Sequence, residues 1–483
     1  MEELDIATVT KRSIHGVMAL VSRTFVIQAI TFITNFLLTV FLTPAIFGVF
    51  FVVSAAIAFL GYFSDIGLAA ALIQKKEPIT QEELKTTFTM QQILVVTVVL
   101  IALLLSGFIK SFYNLNNEGL YLFCALAIAF FLSSLKTIPS IILERDLRFE
   151  KLVIPQIVET LFFSVTVVVL AVNGYGITSF TVAVLARGLS GLIAMYIIAP
   201  WKIGFAFSGK TVSKLLSFGI PFQANSFLAL VKDDLFIVYL GKVLPLTQVG
   251  YIGFAQKWAL TPLRLIMDNI IRITFPSFSR LQHDKTTLGK AVEKSIFASC
   301  FFIFPTIAGL ITLAPYFITT IPKYGKWEPA VLSLVFFSLS AVFSSVSTPL
   351  TNALNAIGKI KITLYLMIFW TAITWIFTPI AISIIGFNGV SIASAVISLS
   401  VFIVIYIVKK YVDINIFIIS PLVGSALVMG VFIYLLGPVF SKNILSVLFL
   451  GFLGLIVYAS TMFLLAKQEI ISNIKLLASN LKK

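Results

Sequence analysis

Charge is scarce in this sequence. Only 11% of the 483 residues are charged and 59% are hydrophobic, with a mean hydropathy of +1.05. A soluble domain is about a quarter charged and under half apolar, so a soluble multidomain enzyme is excluded. Cysteine and histidine are nearly absent, with two of each. Cys124 and Cys300 lie in apolar runs, which excludes a disulfide framework or a zinc site and reads as buried small hydrophobes. His15 and His283 stand alone in polar segments without HxxxH, ExxH or CxxC, so no metal site is expected. There is no Walker motif, no catalytic constellation and no loop long enough to build a soluble catalytic site. The chain reads as a non-enzyme that needs no cofactor.

What the sequence does have is apolar length. Fourteen spanning helices of ~21 residues would take ~294 residues, about 60% of the chain, which matches the apolar share. The fold class is therefore an all-α polytopic membrane protein of about 14 transmembrane helices. Spans 1, 2, 7 and 8 fall at 16–42, 45–73, 216–240 and 246–272. The first apolar run is too long for a cleaved signal peptide and reads as a retained span. With the N-terminus placed in the cytoplasm, 23 of the 35 Lys and Arg residues fall in inside segments and 5 in outside loops, the other seven lying in or at the ends of spans. That is the positive-inside pattern, so both termini are expected in the cytoplasm. It also accounts for the net charge of +15 without a nucleic-acid partner.

The chain repeats itself weakly. Leu42 to Gly48 (LTPAIFG) leads into span 2 as Leu244 to Gly250 (LPLTQVG) leads into span 8. Ser133 to Pro139 (SSLKTIP) has a counterpart in Ser344 to Pro349 (SSVSTP). An even number of spans per half gives a parallel repeat about an axis along the membrane normal. The expected organisation is an N-lobe over 1–200, a C-lobe over 201–410, a helical hairpin over 411–465 and an amphipathic cytoplasmic tail over 466–483. The two lobes have six helices each.

Ten ionisable residues fall well inside spans, and eight of them lie in spans 1, 2, 7 and 8. Each costs ~2.5–3.5 kcal/mol at a helix centre, so ten facing lipid would cost ~30 kcal/mol. They must face protein or a hydrated cavity, and their clustering implies one cavity shared by those four spans. On span 8, Lys257, Thr261, Arg264, Asp268 and Arg272 follow at steps of three and four on one face, while Leu260, Leu263, Ile266 and Ile270 form an apolar face. Arg264 and Asp268 have the spacing to neutralise each other; the alternative is a cationic stripe that meets an anionic ligand. Arg23 on span 1 and Asp65 on span 2 sit at the same cytoplasmic depth. Arginines there would meet a phosphate with a bidentate fork. Glu159 and Arg187 read as a structural pair. Asp233 and Asp234, beside Lys232 on span 7, read either as a self-neutralised cluster or as a site for a coupling H+ or Na+.

The segment from Phe47 to Lys75, with Phe63-Ser-Asp65-Ile-Gly67 at its centre, resembles the span-2 signature of bacterial polysaccharide flippases. Ile142 to Phe149 (ILERDLRF) is similar to the basic turn after their span 4. The family is the Wzx-type lipid-linked oligosaccharide flippases of the multidrug/oligosaccharidyl-lipid/polysaccharide exporter superfamily. The resemblance implies a V of two lobes, a central cationic cavity and alternating access. The implied substrate is an undecaprenyl-pyrophosphate-linked repeat unit of O-antigen, capsule or exopolysaccharide, moved to the outer leaflet of the cytoplasmic membrane. Implied partners are the bilayer, a polysaccharide polymerase and glycosyltransferases. The substrate-binding residues under this reading are Arg23, Arg264, Lys257, Asp65 and Asp268, with Asp233 and Asp234 at the coupling ion. The other readings are a lipid II flippase, whose relatives carry an acidic cation site on span 7, and a multidrug/cation antiporter.

Overall fold

A computed structural model of the chain describes residues 6–64, 67–75, 77–440 and 443–466. Among them the regular structure is entirely helical, and 11 stretches are long and apolar enough to cross a membrane. Helices lie along the apolar segments of the sequence. One stretch of 50 residues, Ile360–Lys409, turns back at a 3-10 segment, Gly386–Asn388. Spans 7 and 8, the charged ones, are not among the eleven stretches found in the described residues. The amphipathic tail expected beyond residue 466 and Asp65 both lie outside the described residues.

By packing, the chain forms two units, residues 1–250 and 251–483. The first contains α1 (Ile6–Phe41), α2 (Pro44–Tyr62), α3 (Leu68–Gln74), α4 (Gln81–Leu104), α5 (Ser106–Phe112) and α6 (Asn117–Ser134). It continues with α7 (Thr137–Arg145), α8 (Phe149–Val172), α9 (Thr178–Ile198), α10 (Gly209–Lys232) and α11 (Asp234–Val243). The helix starts follow local chemistry. Pro44 opens α2, where its missing N–H costs nothing. Thr80 and Glu83 close a reciprocal capping box on α4, and the Asn116 side chain accepts from Gly119 N–H at 2.8 Å ahead of α6. α8 packs on α1 and α9, and α2 lies between α6 and α11. Phe50 stacks on Phe180 at 4.2 Å in this core.

The repeat boundary and the packing boundary differ, because α10 and α11 pack on α2, α3 and α4. A Cβ on Gly241 would meet Val52 at 2.5 Å, and one on Gly67, whose φ is +69°, would meet the Gly219 backbone at 2.7 Å. The repeat itself leaves a physical trace. A Cβ on Gly48 would lie 1.7 Å from the Leu246 carbonyl oxygen, and one on Gly250 would lie 1.9 Å from the Pro44 carbonyl oxygen. Pro44 and Leu246 are equivalent in the two repeats, as are Gly48 and Gly250. The contact is therefore reciprocal, as a local two-fold relation requires. Only glycine allows backbones this close.

The second unit takes up most of α12 (Leu246–Leu281) and then α13 (Lys285–Thr320), α14 (Val331–Ala356), α15 (Ile360–Ile385), α16 (Gly389–Ser398), α17 (Val401–Lys409), α18 (Ser420–Phe440) and α19 (Ile444–Leu465). α18 and α19 pack on each other and both rest on α13, where the Tyr458 hydroxyl donates to Phe301 O at 3.1 Å. Small polar groups join these helices. Ser299 Oγ donates to Ser345 O at 3.1 Å, and Asn352 Nδ2 donates to Thr274 Oγ1 at 2.9 Å. Cys300 is buried beside Ser345, while Cys124 is only half-buried.

Candidate functional site

The two-faced reading of span 8 matches the structure of α12. Leu260, Leu263, Ile266 and Ile270 pack against the core of the second unit, with Met267 buried among them. Lys257, Arg264, Asp268 and Arg272 are exposed on the other side. Fifteen residues separate the ends of this stripe, roughly 22 Å of helix. The Thr261 hydroxyl is spent on its own helix, donating to Lys257 O at 2.5 Å. Arg264 and Asp268 have the spacing for a pair but do not form one; among the described residues, neither side chain belongs to an ion pair. Three cations and one carboxylate leave the face with an excess of two positive charges. The arginine forks are open to an anion.

Arg23, on α1 in the first unit, is half-buried, and its Nε is buried without a hydrogen-bond partner among the described residues. Buried donors are normally satisfied, so this one has unused capacity for an acceptor. Asp65 lies outside the described residues, but the residues flanking it touch α10. Tyr62 Oη donates to Gln223 O at 2.6 Å, and Gly67 abuts Gly219. The acidic pair of span 7 marks a break in the helix. Asp233 separates α10 from α11, and its carboxylate is exposed and 3.8 Å from Lys232 Nζ. Asp234 opens α11, is half-buried and belongs to no ion pair among the described residues. The two adjacent carboxylates therefore occupy different environments.

Glu159 on α8 and Arg187 on α9 do face each other, at 3.8 Å. A third member comes from the break between α6 and α7, where the Lys136 ammonium bonds the same carboxylate and both side chains are about nine-tenths buried. Gly191 leaves the room, since a Cβ there would lie 2.1 Å from Glu159 Oε1. The Tyr196 hydroxyl donates to Leu135 O at 3.1 Å and fixes the break. The sequence reading left Lys136 unassigned. Its signal was its place inside the repeated Ser133–Pro139 motif, whose counterpart has Ser347 at that position. Lys136 also borders a cavity of about 270 Å³ lined by Ser133, Thr137, Ser140 and Glu144. Burial pushes the Glu144 carboxyl up from its ordinary value.

A network ties down the end of this unit that carries basic loops. Arg145 donates to Leu72 O at 2.8 Å and also to Glu77 O. Lys75 binds Glu83 at 2.7 Å, and Lys214 binds Glu77 at 3.3 Å. The hydrogen bond from Lys214 and the two nearby ammonium groups hold Glu77 below the usual carboxylate range.

Comparison with known proteins identifies the family and the fold. The family model described as "Polysaccharide biosynthesis protein" matches residues 37–332. The chain is 26% identical over 335 residues to the "Lipopolysaccharide biosynthesis protein WzxC" of Escherichia coli K12, covering 67% of this chain and 66% of that one. It is 25% identical over 341 residues to an "Uncharacterized membrane protein in cps region" of Klebsiella pneumoniae, covering 68% of each. It is 23% identical over 285 residues to the "Succinoglycan biosynthesis transport protein ExoT" of Rhizobium meliloti, covering 59% of this chain and 57% of that one. In structure it is similar to the "Lipid II flippase MurJ, inward closed conformation", with a TM-score of 0.77 at 16% identity over 93% of this chain and 99% of that one. An inward-facing multidrug resistance transporter of the MATE family shares the fold at a TM-score of 0.61 and 16% identity, over 81% of this chain and 98% of that one.

Proposed function

The chain belongs to the polysaccharide biosynthesis protein family, and from that premise we propose that it flips a polyprenyl-pyrophosphate-linked oligosaccharide from the cytoplasmic to the outer leaflet. It is a multi-pass membrane transporter of the polysaccharide-linked flippase class, with the fold shared by the lipid II flippase and the multidrug exporters. The cationic stripe on α12, where neither Arg264 nor Arg272 belongs to an ion pair among the described residues, carries the proposal. A pyrophosphate and its sugars cannot cross ~30 Å of hydrocarbon unaided, whereas a prenyl tail can stay in lipid. A flippase must offer the headgroup a polar track, and Arg264 with Lys257 and Arg272 supplies one suited to phosphate. Asp268 on the same face is placed to accept from sugar hydroxyls. Arg23, whose Nε has no hydrogen-bond partner among the described residues, is a separate candidate phosphate contact on α1.

The direct test is reconstitution. Proteoliposomes loaded with a polyprenyl-pyrophosphate oligosaccharide should expose its glycan to an added lectin at a rate that scales with protein. The same vesicles with lipid II should show little protein-dependent exposure. No protein-dependent exposure of the oligosaccharide would refute the proposal, and preference for lipid II would replace it with the peptidoglycan reading.

The orientation follows the charge asymmetry. Reporter fusions after Asn117, Pro322 and Lys442 are expected outside, and fusions after Lys76, Gln282 and Lys410 inside. One inverted loop among the six breaks the assignment.

Without ATP machinery, net transport draws on an ion gradient or on removal of product outside. Asp234 is the coupling carboxylate in this reading, because it is half-buried and in no ion pair among the described residues, where Asp233 is exposed beside Lys232. Asp234→Asn should abolish the response of flipping to an imposed proton or sodium gradient, and Asp233→Asn should leave it. An Asp234→Asn variant that still responds fully removes Asp234 from the coupling role.

A further inference from the structure

The connection from α9 to α10 is an extended segment lying on α4. From residue 203 to 208 the exposure alternates: Ile203, Phe205 and Phe207 are 51%, 72% and 68% exposed, with Phe205 also 5.8 Å from the Phe88 ring, while Trp201, ahead of the alternation, is buried beside Phe88 at 5.1 Å. The residues between them turn toward the protein. A Cβ on Gly204 would meet Lys85 Cε at 2.7 Å, and the Ala206 N–H donates to Thr89 Oγ1 at 3.2 Å. The period of two is that of a strand with one apolar face, here without a second strand to cover it.

The surroundings identify what covers that face. Thr89 begins an outward stripe on α4 that continues through Ile93, Val96 and Leu100, all exposed apolar residues on a helix long and apolar enough to span a membrane. The three linker side chains extend this lipid-facing surface past the end of its apolar run. Lys202 and Lys210 flank them and are exposed. Depth is fixed by the backbone. From Lys202 to Phe207, among the described residues, the Ala206 N–H is the one main-chain donor with a protein partner. Unpaired peptide groups do not occur in the hydrocarbon core, so the segment sits where water and headgroups can satisfy them. Aromatic side chains beside lysines are the composition favoured at that depth.

We propose that the 201–210 linker is an interfacial membrane anchor. Ile203, Phe205 and Phe207 insert below the headgroups, and Lys202 and Lys210 bind the phosphates of anionic phospholipid. The segment joining the two halves of the repeat is then held by the bilayer itself, and anionic lipid stabilises its position. This inference is independent of what the protein transports.

Spin labels test it. In a Cys124→Ala, Cys300→Ala background, single cysteines are placed at 203, 205 and 207, with 202 and 210 as references, and the labelled protein is reconstituted in nanodiscs. Labels at the three apolar positions should be several-fold more accessible to oxygen than to an aqueous nickel chelate, with the order reversed at 202 and 210. In discs with a third phosphatidylglycerol the three labels should lie deeper than in pure phosphatidylcholine, and Lys202→Gln with Lys210→Gln should erase that difference. Free access of the nickel chelate to 203, 205 and 207 overturns the proposal. So does shielding from both reagents, which would mean a protein partner or second copy covers the face. A lipid-charge effect that survives the double Gln change overturns the role given to the lysines. Size-exclusion profiles matching the parent show that the variants are folded.

Discussion

Arg264→Ala is expected to stop glycan export while the protein still inserts and keeps the thermal stability of the wild type. The two halves of that result rest on separate observations. The side chain stands on the exposed face of α12 and makes no ion pair among the described residues, so the fold loses little when it is cut; substitutions at such positions usually stay within ~0.5 kcal/mol. A charge-assisted hydrogen bond to phosphate contributes ~1.5–3 kcal/mol, so removing the guanidinium should weaken substrate binding ~10- to 100-fold. Arg264→Lys should recover part of the loss, because it restores the charge but not the planar fork. Arg23→Ala should act the same way, with Arg23→Lys the weaker rescue, since Nε is the atom that waits for an acceptor. The measurement is lipid-linked glycan accumulated in a complemented deletion strain, with membrane content of the protein as control. Normal export by both Ala variants ends the cationic-site hypothesis.

How far the sequence could carry this follows from the kind of signal each feature leaves. Helix existence, the two faces of α12 and the Glu159–Arg187 pair were legible, because they depend on spacing within one helix or on a buried charge needing a partner. The repeat was legible as a motif, and the Gly48–Leu246 and Gly250–Pro44 contacts give it a physical basis. Other features were hidden for a common reason. Lys136 joins Glu159 across helices, the break at Asp233 splits what reads as one span, and the outward alternation at 203–207 has no strand partner. Each is a tertiary choice that no local periodicity encodes. Composition obscured one more point. Spans 7 and 8 carry enough charge to fall below the apolarity of the other helices, and they are the segments that hold the candidate site.

That contrast between charges kept for the ligand and charges kept for the fold sets the second large prediction. Glu159→Ala is expected to destabilise the protein by about 3–5 kcal/mol, the range for removing one member of a buried pair. The loss is dominated by Lys136, which is about as buried as Glu159 and would be left as an uncompensated ammonium inside the helix bundle. Arg187 adds little, because its side chain is more than half exposed and can turn to water. Gly191→Ala should have the same direction with smaller size, since the added methyl displaces the carboxylate from both cations. A double change, Glu159→Leu with Lys136→Met, should recover most of the stability, as apolar replacements of a buried pair often do. Thermal unfolding in detergent reads all three variants, and flipping by the double variant in proteoliposomes reads the other half of the argument. If the triad serves the fold alone, the double variant transports at the wild-type rate once refolded and reconstituted. If transport stays lost at full stability, Lys136 also serves the ligand, through the polar cavity it borders with Ser133, Thr137, Ser140 and Glu144.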